Sequence, residues 1–106
     1  MDKRQTLTRD EAIELVRQYK RVISPRFAIE PKVMMFGSYS KGNANPWSDI
    51  DVAVIVPKIE KGTWFDTSVS LGRDVDKVSL LIEPILLESG EDSPIYREVM
   101  RTGIVV

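Results

Sequence analysis

The 106-residue chain contains neither cysteine nor histidine. The absence of cysteine excludes disulfides, thiolate metal sites and a thiol nucleophile. The absence of histidine removes the most common zinc ligand and the most common general base. Any catalysis would therefore depend on carboxylates, hydroxyls, lysines, arginines and a bound cation. Oxygen ligands alone favour hard cations such as magnesium or manganese.

Long apolar runs and a strong net charge are also missing. No apolar stretch approaches the roughly 20 residues that cross a bilayer, and the charged N-terminus lacks the apolar region of a signal peptide. We therefore expect a cytoplasmic protein with no membrane association. The formal net charge of -1 gives no long-range attraction for nucleic acid, so a polynucleotide partner would need a local basic patch.

The composition is that of an ordinary globular protein, with 42% hydrophobic and 29% charged residues. A chain of this length usually folds around one core, so we expect a single domain over residues 1–106. Its small core and apolar C-terminal tail favour a homo- or hetero-oligomer.

The hydrophobic pattern predicts alternating helices and strands. Residues 8–11 fit a capping box, and an amphipathic helix follows over about 9–23 and ends at Ser24-Pro25. The other predicted elements are a strand over 32–36, a helical turn over 38–41, a strand over 50–56, a helix over 63–78, a strand over 80–87 and a helix from 94 to about 100. The tail 104–106 is either a last strand or a partner-binding end. The expected fold class is α/β (α+β), with a small mixed sheet of three to four strands flanked by helices.

The most informative segment lies between the first two predicted strands. A Gly37-Ser38 step closes one strand, and Asp49-Ile50-Asp51 opens the next. Because side chains alternate along a strand, Asp49 and Asp51 point to the same side. Their repulsion costs stability unless a cation lies near both. Two divalent cations about 3.5–4 Å apart support in-line attack at phosphorus, and a glycine followed by a helical turn allows close approach of a phosphate.

Two further residues extend this candidate site. Lys41 lies one helical turn beyond Ser38 and is within reach of a phosphate oxygen, although a solvated turn lysine is the alternative. Ser48 directly precedes Asp49 and is placed to orient its carboxylate by a hydrogen bond. For the two aspartates themselves, the alternative is a solvent-facing strand entry without function.

The two tryptophans carry open alternatives. Trp47 and Trp64 either stack on a nucleotide base or pack in the core or against a partner. Three cations on the first helix, Arg17, Lys20 and Arg21, form either a solvated helix face or a binding patch.

At this spacing the motif resembles that of a known family. Gly37-Ser38, followed ten residues after the serine by Ser48-Asp49-Ile50-Asp51, resembles the signature of the polymerase-beta-type nucleotidyltransferases. The intervening positions that match the minimal nucleotidyltransferase branch are Gly42, Pro46 and Ser48. The resemblance implies a nucleotidyltransferase fold in which Gly37 and Ser38 bind a triphosphate and Asp49 and Asp51 hold magnesium.

The family also implies a third carboxylate on a neighbouring strand, which completes the metal site and helps to deprotonate the acceptor. Glu83 is the best match, because it lies in an apolar run where burying a carboxylate is costly without a cation. The family more often has Asp at this position, and the longer Glu implies either a shifted metal or a weakened site. Asp76 and Glu88 are the alternatives. Pro84 in the same run predicts an edge strand or a bulge.

The resemblance implies transfer of a nucleotidyl group, with AMP from ATP as the expected case, to a hydroxyl acceptor. The implied cofactors are two magnesium ions, or manganese, with ATP or another nucleoside triphosphate as substrate. Members of this size look like the antitoxin half of a two-gene module whose partner is a small helical HEPN-domain ribonuclease, and some of them add AMP to a tyrosine of that partner. The alternatives are an antitoxin that binds the partner with little or no catalysis, and a degenerate domain that binds nucleotide without turnover.

Overall fold

The computed structural model describes residues 6–106, so the first five residues of the predicted charged N-terminus lie outside the described range. Helices and strands alternate along the chain. Their bounds are α1 (Arg9–Ile23), β1 (Lys32–Phe36), α2 (Ser38–Lys41), β2 (Ile50–Val56), α3 (Trp64–Asp74), β3 (Ile82–Glu88), α4 (Pro94–Thr102) and β4 (Ile104–Val105). Short 3-10 turns over Ser24–Arg26 and Val75–Lys77 follow α1 and α3. Within residues 6–106, none of the helices combines the length and apolarity that a membrane span requires.

The four strands form one mixed sheet in the order β3-β2-β1-β4. Strand β1 is antiparallel to both β2 and β4, and β2 is parallel to β3. This confirms the predicted fold class, and the tail adopts the strand alternative. Pro84 lies on β3, at the edge of the sheet, where its missing N–H leaves no pairing strand unsatisfied.

Local signals place most element boundaries where the sequence predicts them. The capping box of α1 is formed, with Thr8 Oγ1 accepting from the Glu11 N–H at 3.0 Å and Glu11 Oε1 accepting from the Thr8 N–H at 2.8 Å. Strand β3 begins at Ile82, two residues later than predicted, because a turn precedes it. In this turn the Ser79 N–H donates to the Val75 carbonyl at 2.7 Å.

The sheet has two covered faces, and their residues alternate along each strand. Helices α1 and α3 pack on one face, which includes Val52 and Val54 of β2. Helix α4 packs on the other face through Val99, which joins a cluster with Ala53 and Ile55. Since side chains alternate with a period of two, Asp51 belongs to the α4 face of the sheet.

A buried ion pair ties the end of α1 to the end of α3. The Asp74 side chain is 1% exposed and accepts from Arg26 Nε at 2.5 Å and Nη2 at 2.9 Å. Lys77 Nζ lies 3.2 Å from the same carboxylate. The Arg26 hydrogen bond is the main cause that lowers the pKa of Asp74, against the opposing effect of burial. The two cations therefore keep this buried group ionised.

We predict that Arg26→Met lowers the free energy of unfolding by about 2 kcal/mol at pH 7. Removing one partner of a buried pair costs about 3–5 kcal/mol, and the loss is reduced here because Lys77 remains and Arg26 is partly exposed. Asp74 has a lowered pKa in the folded state, so its stabilisation is present above the unfolded pKa of about 3.9 and is lost as pH falls through the folded pKa. The difference in the free energy of unfolding between wild type and Arg26→Met should therefore be smaller at acidic pH.

Urea unfolding at pH 7 and at acidic pH measures both effects. Arg17→Met is the matched control, because Arg17 forms an exposed i,i+3 pair with Glu14 at 2.6 Å, and it should change stability by less than about 0.5 kcal/mol. Equal losses in the two variants would contradict a special role for the buried pair.

Candidate active site

Parallel pairing of β2 and β3 brings three carboxylates, those of Asp49, Asp51 and Glu83, to the end of the sheet where both strands begin, here called the acidic edge. Asp51 lies opposite Glu83 in the strand register, and Asp49 directly precedes β2. The Ile50 N–H donates to the Leu81 carbonyl at 2.8 Å, which extends the pairing to the first residue of β2. Because parallel strands begin at the same edge, the three acidic side chains predicted from the sequence are neighbours in space.

The charges of these carboxylates act on one another. A hydrogen bond with the Asp49 carboxyl is the main cause that raises the pKa of Glu83, followed by the negative charge of Asp49. Desolvation raises the pKa of Asp51, and the charge of Asp49 adds to this rise, whereas the positive charge of Lys41 opposes it. Two carboxyl groups within hydrogen-bonding range require a shared proton or a cation between them.

The donor set fits a divalent cation, although the site is not a preformed cage. Among residues 6–106, no three potential ligand side chains converge on a single metal position. The carboxylates instead interact in pairs, and the side chains of Asp49 and Glu83 are exposed whereas that of Asp51 is half-buried. Six or more oxygen ligands with several waters are usual for magnesium, so a site of this open kind suits a hydrated ion.

The two alternative third carboxylates lie elsewhere. Asp76 is in the 3-10 turn Val75–Lys77 outside the sheet. Glu88 is at the opposite end of β3, opposite Val56, where its Oε1 accepts from the Ile59 N–H at 2.8 Å. Of the three candidates named from the sequence, Glu83 alone is paired in register with an aspartate of the motif.

Gly37 makes the contact between the loop after β1 and the carboxylates. Its φ of 75° and ψ of -152° fall in a region that is essentially restricted to glycine. A Cβ built on this residue would lie 2.1 Å from Asp51 Oδ2. The pairing of Phe36 with Asp51 across β1 and β2 places the glycine beside this carboxylate. The backbone here can therefore approach the acidic site only in the absence of a side chain.

Helix α2 is held by contacts within the chain. Ser38 is its first residue, next to Gly37 and half-buried. The Lys41 N–H and the Ser40 hydroxyl both donate to the Gly37 carbonyl, at 3.1 and 2.9 Å. At the other end, Arg9 Nη2 donates to the Ser40 carbonyl at 2.9 Å. Hydrogen bonds within the chain therefore hold the backbone of the loop that the sequence predicts to bind phosphate.

The remaining predicted site residues have defined partners. Lys41 Nζ lies 3.0 Å from Glu98 Oε2 on α4. Ser48 Oγ accepts from the Asn45 N–H at 2.9 Å, and the Ser48 N–H donates to the Asn45 carbonyl at 3.0 Å. Ser48 therefore closes the turn that leads into Asp49. Glu98 was not found from the sequence, because it belongs to no motif and only tertiary packing brings it to Lys41.

Both tryptophans are exposed, so neither packs in the core. Trp47 is 76% exposed and lies two residues before Asp49, whereas Trp64 is 52% exposed at the start of α3. Helix α3 begins beyond the opposite end of β2, so Trp47 is the one near the carboxylates. The core alternative was therefore wrong for both residues, and base stacking or contact with a partner stays the prediction for them.

We predict that Gly37→Ala destabilises the fold by about 2 kcal/mol or more, since it combines left-handed backbone strain with overpacking against Asp51. Gly62→Ala is the control, because Gly62 has a φ of 83° with no atom within 4 Å of a built Cβ. It should cost about 1 kcal/mol. Urea unfolding would also measure Gly37→Ala in an Asp51→Ala background. There the loss of stability should fall toward that of Gly62→Ala. An unchanged excess would show that the contact with Asp51 is not its cause.

Comparison with known proteins identifies the family of this domain. The family model described as a nucleotidyltransferase domain matches residues 16–99. The protein named "Putative protein adenylyltransferase MJ0141" of Methanocaldococcus jannaschii is 26% identical over 98 residues, which span 91% of this chain and 99% of that protein.

Two solved structures share the fold. A crystal structure described as a "putative nucleotidyltransferase" from Sulfolobus solfataricus aligns with a TM-score of 0.70 and 21% identity, covering 92% of this chain and 80% of that one. A mutant of the toxin–antitoxin MntA-HpeT aligns with a TM-score of 0.50 and 21% identity, covering 95% and 72%. Since the family model extends over most of the sequence and the fold agrees, this chain belongs to the nucleotidyltransferase domain family, as the motif over residues 37–51 predicted.

Proposed function

We propose that this chain binds a nucleoside triphosphate with two divalent cations and transfers the nucleotidyl group, AMP from ATP, to a hydroxyl acceptor. Family membership supports nucleotidyl transfer in general. The observation that carries the specific proposal is the register of β2 and β3, which places Glu83 beside Asp51 and within reach of Asp49. This acidic edge adjoins the glycine that opens α2. A triphosphate needs both parts, a cation site and a backbone surface free of side chains.

The residues divide into two groups by chemistry. Asp49, Asp51 and Glu83 would hold magnesium or manganese, which when bound neutralises the triphosphate and favours attack by the acceptor hydroxyl. Gly37 and Ser38 would present a backbone surface and a hydroxyl donor to the phosphate oxygens. No covalent intermediate with the protein is needed, since positioning and charge neutralisation account for most of the catalysis of phosphoryl and nucleotidyl transfer.

Nucleotidyl transfer needs no reactant besides the triphosphate and the acceptor hydroxyl. The acceptor oxygen forms a bond to the α-phosphorus, the bond from this phosphorus to the β-bridging oxygen breaks, and pyrophosphate leaves. The acceptor proton must go to a base. Glu83 is exposed on the edge strand β3, and in this proposal its carboxylate accepts the proton from an acceptor that approaches this side of the sheet.

We predict that Asp49→Asn with Asp51→Asn weakens magnesium-dependent ATP binding by at least about tenfold. The same double variant removes the repulsion between the carboxylates, so without magnesium its thermal stability should equal or exceed that of wild type. Calorimetric titration with ATP and magnesium, together with thermal melts, measures both. Undiminished ATP binding would refute the proposed cation site, and a lower melting temperature would mean that the aspartates are needed for folding.

Glu83→Gln tests the third carboxylate separately. We expect it to reduce nucleotidyl transfer by about 100-fold or more, as for a lost catalytic base or metal ligand. Asp76→Asn is the matched control and should leave transfer within about twofold, because Asp76 lies outside the sheet. Release of pyrophosphate from ATP is the readout. The reverse ranking would assign the role to Asp76.

A protein acceptor is supported by the surface around the site. Trp47 is 76% exposed and Leu80 is 79% exposed, and they lie on the loops that lead into β2 and β3. Exposed apolar groups of this size favour contact with a partner protein. The name of the Methanocaldococcus relative refers to protein adenylylation. The resemblance of the 37–51 motif to the minimal nucleotidyltransferases of two-gene modules supports a small helical protein of the HEPN class as that partner, with a purely binding antitoxin as the alternative function.

Incubation with α-phosphate-labelled ATP, magnesium and a purified small helical protein of the HEPN class distinguishes these functions. Transfer predicts label on the partner with wild type and none with the Asp49→Asn, Asp51→Asn variant, which should still form the complex. A complex without label in wild type would favour the binding antitoxin. The absence of both complex and label would refute this choice of partner.

A further inference from the structure

Helix α4 contributes a carboxylate that contacts the proposed phosphate loop. Glu98 Oε2 lies 3.0 Å from Lys41 Nζ and accepts from the Thr102 hydroxyl at 3.2 Å. Glu98 Oε1 accepts from Arg101 Nη2 at 2.5 Å. Both carboxylate oxygens are therefore in use. The pKa of Glu98 is lowered to about 2, mainly by the hydrogen bond with Lys41 and next by the hydrogen bond with Arg101. The carboxylate is therefore charged at any physiological pH.

Lys41 is also connected to the carboxylates of the acidic edge. The Lys41 N–H donates to the Gly37 carbonyl at 3.1 Å, and Gly37 packs against Asp51. The positive charge of Lys41 also opposes the rise in the pKa of Asp51. Lys41 thus lies between a carboxylate on α4 and the carboxylates of the sheet, although its side chain is still 42% exposed.

Two opposite roles for Glu98 follow from this geometry. It could withdraw Lys41 from an incoming triphosphate, or it could hold the lysine in place for it. An ammonium group has three N–H donors, so the Glu98 contact leaves donors for a phosphate oxygen. Lys41, Glu98 and Arg101 together carry one net positive charge, because two cations flank one carboxylate. Glu98 therefore leaves this cluster a positive charge that can contact a phosphate oxygen.

Ordering of the lysine side chain favours the second role. A free lysine loses rotamer entropy when a ligand immobilises it, and this loss weakens binding. A lysine that is already held by a partly buried carboxylate has lost most of this freedom in the unliganded protein. Helix α4 is itself fixed on the sheet, since Val99, next to Glu98, is fully buried.

We infer that Glu98 is a positioning residue that holds the ammonium of Lys41 at the rim of the nucleotide site, where it contacts the triphosphate of the bound nucleotide. The inference rests on the proposed function and adds to it a residue outside the 37–51 motif. Glu98 acts through Lys41 and does not itself contact the substrate.

The test measures the dissociation constant for ATP with magnesium in a double-mutant cycle. Glu98→Gln should weaken binding by about 3–5-fold, the value of one well-placed and partly exposed ion pair. Lys41→Met should weaken it at least as much, and the Lys41→Met, Glu98→Gln double variant should match Lys41→Met within about twofold. Glu14→Gln is the matched control, because it removes the same charge from an exposed i,i+3 helix pair, and it should leave the constant unchanged.

The sign of the effect separates the two roles. Tighter binding by Glu98→Gln would show that the glutamate competes with the triphosphate, and unchanged binding would show that it has no role in the site. An equal loss in the Lys41→Met background would show that Glu98 acts independently of the lysine. Each of these results overturns the inference while wild type still binds ATP. Failure of wild type to bind ATP with magnesium would instead refute the proposed function and the inference with it.

Glu98→Asp keeps the measurement decisive if Glu98→Gln does not fold. It retains the charge but shortens the side chain by one methylene, so the contact with Lys41 is lengthened and not abolished. We expect a dissociation constant between those of wild type and Lys41→Met. A constant equal to that of wild type together with a full effect of Lys41→Met would show that the position of the carboxylate does not matter.

Discussion

The structure depends on the parallel pairing of β2 with β3, which holds like charges side by side. Asp51 opposite Glu83 is an unfavourable pair by itself, since neighbouring carboxylates repel. The same ladder continues through apolar pairs such as Val54 with Leu86, which are buried. A slip of one residue would turn every buried side chain to the other face. The core therefore fixes the register, and the register forces the carboxylates together at a site where a bound cation would relieve the repulsion.

A parallel pair requires a crossover connection, and this connection must deliver the chain to the start of β3 in the register that the core fixes. Helix α3 forms this crossover and ends at Asp74, whose buried carboxylate is held by Arg26 from the end of α1. The ion pair is therefore part of the support for the acidic edge, although it does not touch it. Buried charge pairs add little net stability when both partners are present. Their value here is to set the path of the chain from α3 into β3.

Local chemistry explains which parts of the fold could be predicted from the sequence. The capping box at Thr8 and the positive φ of Gly42 set the limits of α1 and α2 through contacts within a few residues. The start of β3 was missed because a turn built on the Val75 carbonyl delays it. Spacing placed Asp49 and Asp51 on one side of the chain, but no spacing could show that Glu98 meets Lys41. That contact depends on the packing of α4 against the sheet.

One side of the candidate site is held by contacts within the chain, whereas the other side is exposed. On one side, α2 and α4 surround the glycine loop, and Lys41 is already held by Glu98. On the other side, Glu83 lies on an edge strand and the loops before β2 and β3 expose Trp47 and Leu80. A preorganised side suits the nucleotide, because ordering it in advance reduces the loss on binding. An open side with exposed apolar groups suits an acceptor carried by another protein. Under the proposed function, the chain therefore fixes one substrate by its own fold and leaves the other to be placed by association.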